Sequence, residues 1–184
     1  MNKIQYVEGD LFAAVSADKS PDPIFITHVV NSLGGWGSGF VVPLGRKFPL
    51  SKSRYLSWHG GDKKEELFSG EFALGKTQFV EINKKIFVAN MVAQTLGGLR
   101  PLFYNCLSKC MDGVAEYITR FNELNPNTKA RIVCPMFSAG LAGGNWNFTE
   151  MLVEDCWIKR GIPVTVHYLP NALPENYNPP QKRL

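Results

Sequence analysis

His28 and Asn31 stand three residues apart at the end of the apolar, β-branched run "IFITHVVN". A bare backbone follows at once: Gly34, Gly35, Gly37 and Gly39, with Trp36 and Ser38 between them and Phe40 closing the stretch. Histidine titrates near neutral pH and can manage the proton of a positioned water. A strand histidine also serves in cores with one hydrogen bond satisfied, and an asparagine before glycines is also an ordinary turn residue. A second bare stretch, Ser138, Ala139, Gly140, Leu141, Ala142 and Gly143, follows "RIVCPMF" and runs into Asn145 and Trp146. Glycine lets a backbone reach positive φ and approach a ligand closely. Loop amides leading into a helix start make a phosphate cradle. One such loop would read as a tight turn. Two, each between a buried strand and a helix, point to phosphate binding.

The surrounding elements must place those loops side by side. "KIQYV" alternates and reads as a strand, followed by "GDLF" and the polar, proline-bearing "SADKSPDP". "IFITHVV" and "RIVCPMF" are continuous apolar runs of the kind found in strands buried on both faces. "GFVVPLGRKF" reads as a short helix with Pro43 in its first turn, and "SKSRYLSWH" as another, capped by Ser51 or Ser53. "GEFALGKTQFVEINKKIFVANMV" reads as two strands around the turn "NKK". Leu102, Cys106, Cys110, Val114, Ile118 and Phe121 recur at the spacing of an amphipathic helix. "FTEMLVEDCWIKR" reads as a helix with Asn147 as its cap and Gly161 as its stop, and "PVTVHYL" as the last strand. Strands alternating with helices give an α/β protein, whose ligands bind at the carboxyl ends of the strands. Residues 1–169 are expected to form one domain, and the proline-rich 170–184 a surface tail.

Bulk properties exclude several classes. The chain has 184 residues, 45% of them apolar and 20% charged, with a formal net charge of +4. Lys and Arg are scattered, apart from the terminal "QKRL". That distribution offers no nucleic-acid stripe and no membrane patch, and its mild positive field suits a small anionic ligand. No leader and no long apolar run is present, so a cytoplasmic location is expected. The four cysteines form no CxxC pair and read as buried thiols in a reducing compartment. The histidines and cysteines lack ligand spacing, so no metal and no cofactor are expected. "GEFALGKT", Gly70 to Thr77, spells a Walker A loop letter for letter. Its context is wrong, because polar residues precede it and strand-like "QFVEI" follows where a helix is required. Lys76 is therefore read as a solvated strand residue.

Taken together, "YVEGDLF", "HVVNSLGGWGSGFVVPLGRKFP", "PMFSAGLAGGNW" and "VTVHYL" resemble the macrodomain family, the ADP-ribose-binding α/β module. The resemblance runs from about Ile4 to Leu169 and is nearest to the branch holding ADP-ribose-1''-phosphate phosphatases and terminal ADP-ribose glycohydrolases. Small phage-encoded macrodomains are similar as well, which would place the protein in a host cytoplasm. The resemblance implies a three-layer α/β/α sandwich on a mixed sheet. It implies that Asp10, with Leu11 beside it, receives the adenine amino group, a charged hydrogen bond worth roughly 1.5–3 kcal/mol. An aspartate there also suits a helix cap. It implies that Asn31 contacts the distal ribose, that Gly34 to Phe40 wrap that ribose and one phosphate, and that Ser138 to Gly143 cradle the pyrophosphate. Trp36 and Trp146 would wall the ribose pocket or sit in the core. Tyr168 would pack on adenine.

The same resemblance places a histidine at the position of His28 in the phosphatase-like branch. It also marks a departure. The glycohydrolases pair a lysine with an acid, and this chain has Met91 and Val92 where the lysine belongs and Ala142 where the acid belongs. A lysyl adduct is thereby disfavoured. Asn90 and Gln94 are the polar residues of that neighbourhood. The expected function is binding of ADP-ribose or a 1''-linked derivative, free or on ADP-ribosylated macromolecules. Hydrolysis at the 1'' position would use His28 and Asn31. The alternatives are a non-catalytic ADP-ribose reader or nucleotide sponge, and a nucleotidase built on "GEFALGKT". A monomer is expected, with no membrane or sequence-specific nucleic-acid partner.

Overall fold

The computed structural model describes residues 3–98 and 101–170. Its elements are β1 (Gln5–Glu8), α1 (Leu11–Ala17), β2 (Ile24–Asn31), α2 (Val41–Lys47), α3 (Pro49–His59), α4 (Lys63–Ser69), β3 (Thr77–Glu81), β4 (Ile86–Gln94), α5 (Tyr104–Leu124), β5 (Arg131–Pro135), α6 (Trp146–Val153) and β6 (Val164–Tyr168). A wide π turn over Glu154–Ile158 continues α6. The strands form one six-stranded sheet in the order β1-β6-β5-β2-β4-β3. Every pairing is parallel except that of β3 with β4.

The apolar runs decide this order. β2 and β4 are buried along nearly their whole length, as befits central strands covered on both faces. Alternate side chains feed two cores. Phe25, Phe87 and Met91 face one core beneath α5 and α6. Ile24, Ile26, Val88 and Val92 face the other, beneath α1, α2 and α3. The result is an α/β/α sandwich. In α5 the buried residues Leu107, Cys110, Met111, Val114, Ala115 and Ile118 keep the spacing of a single apolar face.

Several local expectations need correction. The seven-residue helices α1 and α4 go beyond the sequence reading: α1 follows the turn-like Gly9-Asp10 and runs into a polar loop, and α4 opens on the polar Lys63-Lys64-Glu65-Glu66. Each is announced by an aspartate cap: Asp10 accepts from Ala13 N at 2.7 Å, and Asp62 from Lys64 N at 2.9 Å. Helix α3 is not capped by Ser51 or Ser53. It begins on Pro49 with no side-chain cap, and Ser51 is a buried residue of its first turn. The cap of α6 is Asn145, which accepts from Asn147 N at 2.8 Å, and not Asn147 itself. The Walker-like segment lies between the C-cap of α4 at Gly70 and the start of β3, with no helix after it. All four cysteines are free thiols. Of the tail, residues 171–184 lie outside the described residues. Among the described residues no helix is long and apolar enough to cross a membrane.

Candidate functional site

Because β1, β6, β5, β2 and β4 run parallel, their carboxyl ends share one edge of the sheet. The loops after β5, β2 and β4 leave that edge side by side and enclose a cavity of about 510 Å³. Each loop carries glycines. The third, after β4, contains Gly97 and Gly98 at φ +79° and +82°. It contributes Gln94, Thr95, Leu96 and Gly97 to the lining, joined by Pro101 from the start of the next segment. Of these the sequence points only to Gln94. The signal in the sequence was a third buried strand running straight into a glycine pair, "ANMVAQTLGG". Met136 and Phe137, just ahead of the second loop, also line the cavity.

The first loop is built around one side chain. Asn31 Oδ1 accepts from Leu33 N and Gly35 N, both at 2.9 Å, and its Nδ2 donates to Gly35 O at 2.7 Å. Tyr55 Oη donates to Asn31 O at 2.6 Å. The amide thus folds the chain back on itself, and Asn31 is a turn residue as well as part of the cavity lining. Gly34 sits at φ +75°, and a Cβ there would lie 2.7 Å from the His59 ring. Beyond it, Gly35, Gly37, Ser38, Gly39 and Phe40 line the cavity.

The second loop is held mainly by its own backbone. Ser138 is the sole described non-glycine at positive φ, +76°. It is buried, with Oγ 2.5 Å from Thr149 Oγ1. Strain of this kind concentrates at functional sites. Gly144 N donates to Ser138 O at 2.8 Å, and Leu102 N donates to Ala142 O at 3.2 Å, which ties the second loop to the third. Ser138, Gly140, Leu141 and Ala142 line the cavity. Leu141 reaches over to Gly39 and Leu96 to Gly35, so the three loops meet at the rim.

His28 also lines the cavity, yet it is almost wholly buried. Its Nε2 lies 2.6 Å from Asn90 Oδ1, and its ring meets Trp36 edge-on at a centroid distance of 5.9 Å. Burial pulls its pKa from 6.5 down to about 4, against opposing contributions from Asn90 and the Val29 backbone. The ring is therefore neutral around pH 7, which differs from the near-neutral titration that the sequence suggested. The reason is its place in the row of β2 side chains that face the closed core.

The remaining expected residues divide. Trp36 and Trp146 are core residues off the cavity. Trp36 packs on Tyr55 at 5.2 Å, and Trp146 Nε1 donates to Tyr6 Oη at 3.1 Å. Leu11 is likewise buried in the core under α1. Gly34, Ala139 and Gly143 belong to the loops but not to the lining of this cavity. Asp10 and Tyr168 stand together further along the same edge, where Gly9 N donates to Tyr168 O at 2.9 Å. Asp10 is exposed. Where a lysine–acid pair would stand, Met91, Val92 and Ala142 are all buried apolar residues. Of the other histidines, His59 packs against Phe72 at 5.1 Å, and His167, in β6, has its pKa lowered by burial against the favourable pull of the Gly9 backbone and Asp10. Among the described residues no three His, Cys, Asp or Glu side chains converge as a metal site would require.

This fold is found in known proteins. A macrodomain protein from Streptomyces coelicolor is 34% identical and superposes with a TM-score of 0.70, covering 90% of this chain and 99% of that one. The chain belongs to the macrodomain family. A 17.5 kDa protein from the tk-vs intergenic region of Enterobacteria phage T4, described as uncharacterized, is 28% identical over 153 residues, 82% of this chain and 88% of its own. The DarTG protein of Thermosipho africanus, solved in complex with ADP-ribose, shares the fold at a TM-score of 0.65 and 20% identity, across 92% of this chain and 42% of that one. No protein-family model matches the sequence.

Proposed function

We propose that this protein binds ADP-ribose, free or carried through its 1'' position, in the cavity between the three glycine loops. The observation that carries the reading is the cavity itself: about 510 Å³, at the carboxyl edge of a parallel sheet, walled by loops whose glycines leave their peptide groups accessible. The second loop leads into the first turn of α6, where backbone N–H groups favour an anion. Asp10 and Tyr168, further along the edge, would take the adenine end. The DarTG complex with ADP-ribose supports the ligand class through the shared fold. Calorimetric titration of ADP-ribose with AMP as control tests the reading. Micromolar affinity, about −8 kcal/mol, is expected for ADP-ribose, with AMP much weaker. Equal affinity for the two would remove the distal-ribose loops from the site.

Hydrolysis at the 1'' position is the finer reading, with His28 orienting a water rather than taking up its proton, since a ring of such low pKa is a weak base near pH 7. Turnover of ADP-ribose-1''-phosphate that vanishes in His28→Ala while ADP-ribose still binds would support it. Two observations favour a non-catalytic reader: the neutral, buried state of His28, and the apolar residues Met91, Val92 and Ala142 in place of a lysine–acid pair. A reader would give no product from any 1''-linked substrate after long incubation.

A further inference from the structure

The mouth of the cavity is almost without side chains. Among the described lining residues, those open to solvent are Gly37, Ser38, Gly39, Gly97 and Gly140, together with Leu96 and Leu141. The two leucines line the cavity yet keep 51% and 72% of their surface in solvent, so they stand at its mouth. Each leans on a glycine of the first loop. Leu96 Cδ1 lies 3.1 Å from where a Cβ on Gly35 would be, and Leu141 Cδ1 lies 3.3 Å from the same point on Gly39. The described lining holds no Asp, Glu, Lys or Arg.

Strand order gives the two leucines different neighbours. A ligand laid along the edge from Asp10 and Tyr168 crosses the second loop after β5, then the first after β2, and ends at the third after β4. From β6 to β4 is three strand spacings, roughly 14 Å, which a molecule of two riboses joined by a pyrophosphate bridges. Leu141 therefore stands over the middle of that path and Leu96 at its far end. The base of the third loop is tied on both sides: Ser32 N donates to Gln94 O at 2.8 Å, and Thr95 N donates to Pro101 O at 2.9 Å. Leu96 is thus held in place, with the uncharged Gln94 and Thr95 beside it in the lining.

We infer that Leu96 is a specificity-determining residue for the group carried at the 1'' position, and that it selects an uncharged carrier over a 1''-phosphate. This deepens the ADP-ribose reading and rests on it. The pyrophosphate is common to every such ligand and cancels from the comparison. A terminal phosphate adds about −1.5 to −2 charges at pH 7. Set against Leu96 it gives up water and meets no cation among the described lining residues, which costs affinity. An uncharged alkyl or aromatic group gives up little and covers the exposed face of the leucine.

Calorimetric titrations of ADP-ribose-1''-phosphate and of the 1''-O-methyl and 1''-O-benzyl glycosides of ADP-ribose test this, with ligand integrity checked after each run. The phosphate is expected to bind at least about tenfold more weakly than the methyl glycoside. The benzyl glycoside should bind more tightly than the methyl one, and Leu96→Ser should remove that advantage. Leu96→Lys, whose stem keeps the Gly35 contact, should strengthen the phosphate about fivefold and leave the methyl glycoside nearly unchanged. Leu141→Lys, over the part that all the ligands share, should move both alike and leave their ratio as it was. A phosphate that binds the unaltered protein as tightly as the methyl glycoside would overturn the inference, and so would an unchanged ratio in Leu96→Lys. If Arg100→Gln then removed the phosphate's affinity, the failure would trace to that residue, which lies between Gly97 and Pro101 in the sequence and outside the described residues. Absence of binding by ADP-ribose itself would refute the functional reading and this inference with it, whereas ADP-ribose binding with the phosphate preferred refutes this inference alone.

Discussion

The first and second glycine loops have similar composition and opposite construction. The first is stapled by a side chain: Asn31 closes it through Leu33 and Gly35, with Tyr55 bracing the asparagine from behind. The second is stapled by its backbone, through Ser138 at positive φ and Gly144 pressed against Ser138 O. A glycine count alone treats the two as equivalent. Their neighbours show that the first depends on groups anchored in β2 and α3, and the second on close packing against the start of the α5 segment at Leu102.

Acid should separate the two most strongly. His28 anchors the strand that feeds the first loop, and its pKa is lowered from 6.5 to about 4. Between those values the unfolded chain binds a proton that the folded protein refuses. Stability is therefore complete above pH 6.5 and is lost as pH falls toward about 4, by about 3 kcal/mol from this group. The difference between urea midpoints of the unaltered protein and His28→Asn should shrink across that window. Parallel curves would show that the ring does not charge on unfolding. Protection of the Gly35 amide, measured against its intrinsic exchange rate at each pH, should also fall with acid before that of Gly144 does.

Next in size is Gly144→Ala. A Cβ there would lie 2.7 Å from Leu102 Cδ2 and 2.8 Å from Ser138 O, and a backbone oxygen cannot turn aside. Overpacking should cost about 2 kcal/mol. Gly140→Ala, in the same loop, meets nothing within 4 Å and should cost almost nothing. Similar losses in both would mean that the second loop is not held by packing.

Asn31→Ala is the counterpart in the first loop. It unties both Gly35 bonds and the Leu33 bond, for about 1.5 kcal/mol of stability. ADP-ribose affinity should fall further than stability does, because the loop loses its shape at the cavity wall. A calorimetric titration that finds affinity unchanged would make Asn31 a turn residue alone.

How much of this could be read from the sequence follows the range of the interactions. The buried strands and α5 were legible because burial on both faces and a single apolar stripe each leave a local pattern. Helices α1 and α4 were not legible, since seven residues hold barely two turns of periodicity and their aspartate caps look like turn residues. The second and first loops were found from their glycines. The third is harder to see, although Gly97 and Gly98 follow a buried strand in the same way, because no helix pattern begins directly after them. Trp36 lies within the first loop and Trp146 opens α6 just after the second, but both turn inward, to Tyr55 and Tyr6, a choice set by partners 19 and 140 residues away. The bonded polar row of His28, Asn90 and Gln78 is hidden for the same reason. Asn90 stands out as a lone polar residue in "IFVANMV", which signals a buried partner, but only the register of β2, β4 and β3 places His28 and Gln78 on either side of it.

The smallest predicted effect tests the backbone side of the comparison directly. Ser138→Ala keeps the unfavourable φ and loses the hydrogen bond to Thr149, whereas Ser138→Gly loses the same bond but relieves the strain. Residues held at positive φ without need cost on the order of 1 kcal/mol. The glycine variant should therefore be the more stable of the two by about that much, despite the freedom glycine adds to the unfolded chain. A urea midpoint that is equal for both, or lower for Ser138→Gly, would mean that the Thr149 contact, a side-chain staple like that of Asn31, holds the second loop, and the two loops would then be built alike.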